Sequence, residues 1–177
     1  MFEQAQDEAQ KYLDVQISGP KGGSTSQRLI DKALKEQLKA KQDGLKNTVE
    51  KYTEVVNMNG GEWKLAAVVE IGKAFDNYAE TIISSYIPVY LSEGQAEMYQ
   101  MNLEDRSYQY HQQAIGYYQK VLEVSFEMNL YNDVTAFATR RLGELRPNEY
   151  KPLDEDLLSP EYLSTEIRTR TFIETLE

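Results

Sequence analysis

The chain has 177 residues, no Cys, one His and a formal charge of −10 from 19 basic and 29 acidic side chains. Those numbers exclude disulfide scaffolds, thiol catalysis and cysteine-ligated or two-histidine metal centres, and they argue against nucleic acid, whose binders need a basic face to displace counterions from phosphate. Hydrophobic residues at 41% and charged residues at 27% are ordinary for a globular protein, and no apolar run approaches the roughly 20 residues needed to span a bilayer.

Residues 2–17 carry Phe2, Ala5, Ala9, Tyr12 and Leu13 at helical spacing. The pattern is already running at the first residues, which points to a helix from a preceding repeat and a chain cut from something longer. Gly19-Pro20-Lys21-Gly22-Gly23 breaks it. Ser24 with Gln27 then reads as a capping box. Ile30, Leu34, Leu38, Leu45, Val49, Tyr52 and Val56 form the next stripe, with one turn skipped around Lys41 and Gln42. Gly44 lies inside this helix and marks a bend or a close crossing. The predicted span is 24–58.

A third helix is predicted over 62–86, with Trp63, Ala67, Ile71, Phe75, Tyr78, Ile82 and Tyr86 facing inward and Pro88 beyond its end. Ser92 with Gln95 is a second capping box, opening a helix over 93–129 with a break expected near 102–107. Its second half presents Ala114, Tyr118, Val121, Leu122, Ser125 and Phe126. Asn132 or Asp133 caps a fifth helix to Leu145, closed by Pro147. From Lys151 to Glu177 the periodicity is lost and the net charge is −4, from seven acidic and three basic residues. The expected organisation is a helix and Gly-rich break (1–23), a helical repeat domain (24–150) and an acidic, less ordered tail (151–177). The 13 Tyr residues suit this plan, because a Tyr ring packs while its hydroxyl stays at the wet edge of a core.

Helices joined by short turns invite a search for repeats. Ile71-Gly72 with Phe75 matches the L-G-x2-Y core of a first tetratricopeptide helix. Ala114 and Tyr118 match the A-x3-F of a second helix, within QAIGYYQKVLE (113 to 123). Thr48 and Tyr52 match another second helix, and Val134, Phe137 and Ala138 a further first helix. The small slots let helices cross closely, and the aromatic slots fill the space beside each crossing. Over roughly 45–146 the sequence thus resembles tetratricopeptide-repeat proteins. With Glu62-Trp63, Ile87-Pro88-Val89, Leu130-Tyr131-Asn132 and Glu144-Leu145-Arg146-Pro147, it resembles the last repeats of large tetratricopeptide proteins of the bacterial envelope linked to gliding motility. That resemblance implies an all-α fold of antiparallel helical hairpins, a right-handed α-solenoid fragment with long irregular helices. It also implies a place in the bacterial periplasm or cell envelope.

In that register the groove is lined by Lys73, Asp76 and Asn77 on one first helix and by Asn132, Thr135 and Thr139 on the next. These six are the candidate partner-binding residues, suited to an extended peptide or partner helix. The expected partner is therefore a protein or peptide, with no nucleic acid, no membrane insertion, no cofactor and no small-molecule substrate. His111 has no recognisable nucleophile or orienting partner in sequence and reads as a surface or helix-packing residue. Glu93, Glu97, Glu104 and Asp105 lack the Glu-x-x-His spacing of a carboxylate metal site and read as solvated faces. Asp154-Glu155-Asp156 lacks the Gly and final Glu of a calcium loop, and Arg140-Arg141 reads as a balance to its helix C-terminus. The leading function is a non-enzymatic interaction scaffold. The alternatives are a carboxylate- and Tyr-based enzyme in a helical bundle, and a purely structural spacer.

Overall fold

The computed structural model describes residues 2–58 and 61–150. They form α1 (Phe2–Leu13), α2 (Gln27–Val56), α3 (Gly61–Ile83), α4 (Glu93–Glu127) and α5 (Asp133–Leu145), with no strand among the described residues. None of these helices is long and apolar enough to cross a membrane. The acidic tail after Tyr150 lies outside the described residues.

Local chemistry sets the helix ends. The expected Ser24–Gln27 box does not form: the Ser24 hydroxyl accepts the Ser26 N–H at 3.3 Å, the chain stays extended through Ser26, and α2 begins at Gln27. The second box does form, with Gln95 Oε1 accepting the Ser92 N–H at 3.0 Å. Helix α3 stops at Ile83 rather than running to Tyr86, because the Tyr86 N–H turns away to the Ile17 carbonyl at 2.9 Å. Helix α4 closes in a Schellman motif: Leu130 N–H donates to Ser125 O at 2.9 Å and Asn129 N–H to Phe126 O at 3.2 Å. That geometry needs a left-handed residue, and Asn129 takes it with φ 50°. No break occurs near 102–107. Asn102 Nδ2 and Ser107 Oγ donate to the Met98 and Glu104 carbonyls at 2.8 and 2.7 Å, so these polar side chains bond along the helix instead of interrupting it.

Each helix runs antiparallel to the one before it. Tyr12 of α1 meets Gly44 of α2 while Phe2 meets Tyr52. Tyr78 of α3 meets Tyr110 of α4 while Phe75 meets Tyr117. Alternate helices run parallel and touch: α1 meets α3 through Phe2–Trp63 and Tyr12–Ala74, and α3 meets α5 through Lys73–Phe137 and Asp76–Arg141. Helices α2 and α4 do not pack on each other, whereas α3 packs on all four others. One core joins α3, α4 and α5 around Leu65, Val69, Tyr118 and Leu142. A second joins α1, α2 and α3 around Ala5, Tyr52 and Ile71.

Two residues expected inward face out. Trp63 is 62% exposed, because α3 begins beyond the end of α1 and its ring only covers Phe2. Phe126 is 73% exposed although Ser125 in the same turn is buried, because its face of α4 opens onto a concavity beside α5.

Helices α2 and α4, at 30 and 35 residues, are longer than α3 at 23. At about 1.5 Å per residue their excess is roughly 10–18 Å. Their N-terminal halves therefore extend past the C-terminal end of α3, and the two loops fill the space there. Gln37 of α2 grips Gly19 twice, accepting its N–H at 3.1 Å and donating to its carbonyl at 2.8 Å. Gly19 sits at φ 80° under the Tyr86 ring, where a Cβ would lie 2.8 Å from Cγ. Tyr90 donates to Asp31, tying the second loop to α2.

Gly72 marks the closest crossing. A Cβ there would lie 2.7 Å from Tyr118 Cε1, on a fully buried ring that has nowhere to move. Gly116, one face round α4, meets nothing within 4 Å. Urea melts should separate the two: Gly72→Leu lowers stability by about 1–3 kcal/mol, whereas Gly116→Ala raises it by up to about 1 kcal/mol through helix propensity. An unchanged midpoint for Gly72→Leu would contradict this packing.

Candidate functional site

The three parallel helices α1, α3 and α5 enclose a groove of about 390 Å³. Its floor is the polar stripe of α3, where Lys73, Asp76, Asn77 and Glu80 recur at helical spacing. Its walls are Tyr12 and Leu13 of α1, Thr48 of α2, and Phe137, Arg140, Arg141 and Glu144 of α5.

Asp76 is buried and forms the centre of an ion network. His111 Nδ1 lies 3.0 Å from Oδ1, Tyr118 OH lies 3.4 Å from Oδ2, and Arg141 Nε donates to Oδ2. Burial alone would favour the neutral acid, but the hydrogen bonds from His111 and Arg141 outweigh it and hold the carboxyl below its usual range. An ionised carboxylate only accepts, so the His111 proton facing it is on Nδ1. Arg141 also pairs with Glu80 across the groove and with Glu144 at 2.7 Å on its own helix. It thereby staples α5 to α3. Burial, followed by the adjacent Asp76 charge, raises the Tyr118 hydroxyl far above its ordinary pKa, so it remains a donor.

Lys41 forms a second buried centre. It is fully buried, its Nζ donates to the Tyr12 carbonyl at 3.0 Å and Asn77 Oδ1 at 2.7 Å, and it stands 4.1 Å from the Tyr12 ring centroid. No carboxylate neutralises it directly. Burial lowers its pKa to about 8, with Asp14 pulling weakly the other way. The Tyr12 hydroxyl donates to the Ala74 carbonyl at 2.7 Å, so α1, α2 and α3 are joined through one Lys–Tyr–Asn cluster.

The six residues expected to bind a partner fall into two places. Lys73, Asp76 and Asn77 share the groove, but only Lys73 reaches its surface: it pairs with Glu70 at 2.7 Å and lies 4.5 Å from the Phe137 ring centroid. Asp76 and Asn77 are committed to Arg141 and Lys41. Asn132, Thr135 and Thr139 lie away from this groove, in a broader concavity of about 1160 Å³ along the far side of α4 and α5. Asn132 and Thr135 cap α5 there. Asn132 Oδ1 accepts from the Val134 and Thr135 N–H groups at 3.1 and 3.3 Å, and Thr135 Oγ1 accepts the Asn132 N–H at 3.0 Å. Thr139 is exposed, with its hydroxyl donating to the Thr135 carbonyl at 3.0 Å.

Sequence reasoning missed Arg141 and Lys41. Arg141 was expected to balance its own helix end, yet its main partners lie on α3. Lys41 had a visible signal: it occupies the skipped turn of the α2 stripe, an inward position filled by a cation. No protein-family model, curated protein or solved structure matches the chain.

Two outcomes test these centres. The Lys41 pKa is depressed in the folded chain, so below pH 8 both states are protonated and the penalty of burying the charge is fully present. Between pH 8 and 10.5 only the unfolded chain keeps the proton, and stability rises with pH. The gain should be about 2–3 kcal/mol by pH 10, at roughly 1.4 kcal/mol per unit. Above pH 10 the buried Tyr12, Tyr52 and Tyr78, whose pKa values are raised, reverse the slope. Urea melts at four pH values should show this rise in the wild type and a flat line in Lys41→Met.

Arg141→Gln should cost about 2–4 kcal/mol at pH 7, because it strips Asp76 of its strongest partner. The depressed Asp76 pKa contributes stability above the ordinary value of 3.8 that is lost as pH falls through the folded value. In Arg141→Gln that loss should begin at higher pH, which acid titration of the melting curves will read.

Proposed function

We propose that the chain is a non-enzymatic protein–protein interaction scaffold of tetratricopeptide-repeat type, working within a larger bacterial envelope assembly. The observation that carries this reading is the alternation of helices: α1, α3 and α5 stand side by side around a groove, and α2 and α4 stand behind. In a repeat solenoid each unit touches only its neighbours and alternate helices line one binding surface. The Gly72–Tyr118 crossing adds support, since a small slot facing an aromatic one is what the repeat consensus demands.

The occupant this groove suits is an extended peptide. Its rim alternates charges, with Lys73 and Arg140 against Glu70, Glu80 and Glu144. Its apolar walls come from Tyr12 and Phe137. The enzyme alternative calls for a carboxylate kept protonated as a general acid. Asp76 is held in the opposite state and saturated by three donors.

Selection of a displayed random-peptide library against the full chain tests the proposal. Selected peptides should bind Lys73→Glu/Arg140→Glu at least tenfold more weakly than wild type. The thermal midpoint should stay nearly unchanged, since neither side chain is buried. Undiminished binding to the double variant would place the peptide site outside this groove.

A further inference from the structure

At the other end of the molecule, the N-terminal halves of α2 and α4 diverge past the end of α3 and leave a cavity of about 450 Å³. This lies within the roughly 300–1,000 Å³ typical of small-molecule sites. It shares no residue with the groove between α1, α3 and α5. Its inner walls are apolar: Leu34 and Leu38 from α2, Ile82 from α3, Leu103 from α4 and Ile17 from the first loop.

Five residues bring polar groups to that apolar lining: Ser85, Lys35, Arg106, Tyr99 and Asn102, the last giving its amide N–H to the Met98 carbonyl at 2.8 Å. Ser85, just past the end of α3, is 7% exposed, and its hydroxyl has no hydrogen-bond partner among the described residues. Lys35 and Arg106 stand at the mouth on opposite helices. Neither makes an ion pair among the described residues. Among the described residues, no Asp or Glu lines the cavity. In a chain of net charge −10, two cations from α2 and α4 lining one apolar cavity, with no ion pair among the described residues, form a local inversion of sign.

We propose that this cavity binds an amphipathic monocarboxylate, a medium-chain fatty acid. The alkyl chain lies along Leu34, Leu38, Ile82 and Leu103, and the carboxylate sits at the mouth between Lys35 and Arg106. Arg106 offers the forked donor geometry that a carboxylate accepts. A neutral alcohol gains only the apolar contact, and an alkylammonium meets like charge.

Isothermal titration of the full chain with decanoate, below its micelle concentration, tests this, with decanol and decyltrimethylammonium as chains of equal length. The expected result is saturable one-to-one binding, with decanoate at least tenfold tighter than either analogue and weakened by added salt. Lys35→Gln/Arg106→Gln should weaken decanoate about tenfold, as the product of roughly threefold for each exposed ion pair, and leave decanol unchanged. Both residues are exposed, so this variant keeps the fold. Absence of saturable binding, equal affinity for decanol and decanoate, or wild-type affinity in the double variant overturns the proposal. Binding of an acidic amphipathic helix in place of decanoate also overturns it and assigns the gap to a protein partner. None of these outcomes bears on the peptide groove, whose residues are untouched.

Discussion

Contact of α3 with all four other helices is the constraint on which the rest depends. A helix covered by two neighbours needs one apolar stripe, whereas α3 must satisfy α2 and α4 on its broad side and α1 and α5 on the other. Its sequence divides accordingly. Leu65, Val68, Val69 and Ile71 are buried in the two cores, and Gly72 lets Tyr118 come within contact distance of the backbone. The remaining stripe, Lys73, Asp76, Asn77 and Glu80, is polar, yet two of its members are enclosed by the end helices. A buried carboxylate is tolerable only when paired and hydrogen-bonded, and Arg141 and His111 meet that condition. The groove is a by-product of the same arrangement, since it is the space left where α1 and α5 lean on α3 without meeting each other.

The two buried ionic centres are unlike in kind. Asp76 is surrounded by three donors on α4 and α5 and is held charged by them. Lys41 has a carbonyl, an amide oxygen and a ring face, all neutral, and its charge is resisted. The first fixes the position of α5, and the second fixes α1. Acid loosens the first and mild alkali relieves the second, so both ends of the helical array tighten as pH rises, one in the acidic range and the other above pH 8.

Much of this architecture was legible because helical periodicity and capping are local. The stripes of α2, α4 and α5, the Ser92–Gln95 cap, the Asn132 cap and the small slot at Gly72 all follow from residues within one or two turns of each other. What was not legible depends on where helices end relative to their neighbours. Trp63 and Phe126 keep the stripe spacing but face solvent, Trp63 in the first turn of α3 against Phe2 alone and Phe126 on a face of α4 that opens onto a concavity. Tyr86 keeps the spacing of α3 but gives its N–H to Ile17, far away in sequence. For the site, the shared face of Lys73, Asp76 and Asn77 was visible, and Arg141 as partner to Asp76 was not, since no local pattern encodes a contact 65 residues apart. Lys41 lay between these cases: the gap in its stripe was plain, and a cation filling that gap runs against the usual rule for interiors.

The end helices have a further consequence for how the molecule opens. Helix α1 is 12 residues long and α5 is 13, lengths at which an isolated helix is marginal in water. Among the described residues each leans on two neighbours, α1 on α2 and α3, and α5 on α4 and α3. Their backbone amides should therefore exchange with solvent through separate local openings, below the free energy of global unfolding. The amides of α3 exchange only when the whole array comes apart. The order of protection is then centre first and ends last, with each end closed by its own clasp: the Tyr12 hydroxyl on Ala74 at one, the Arg141 guanidinium on Asp76 at the other.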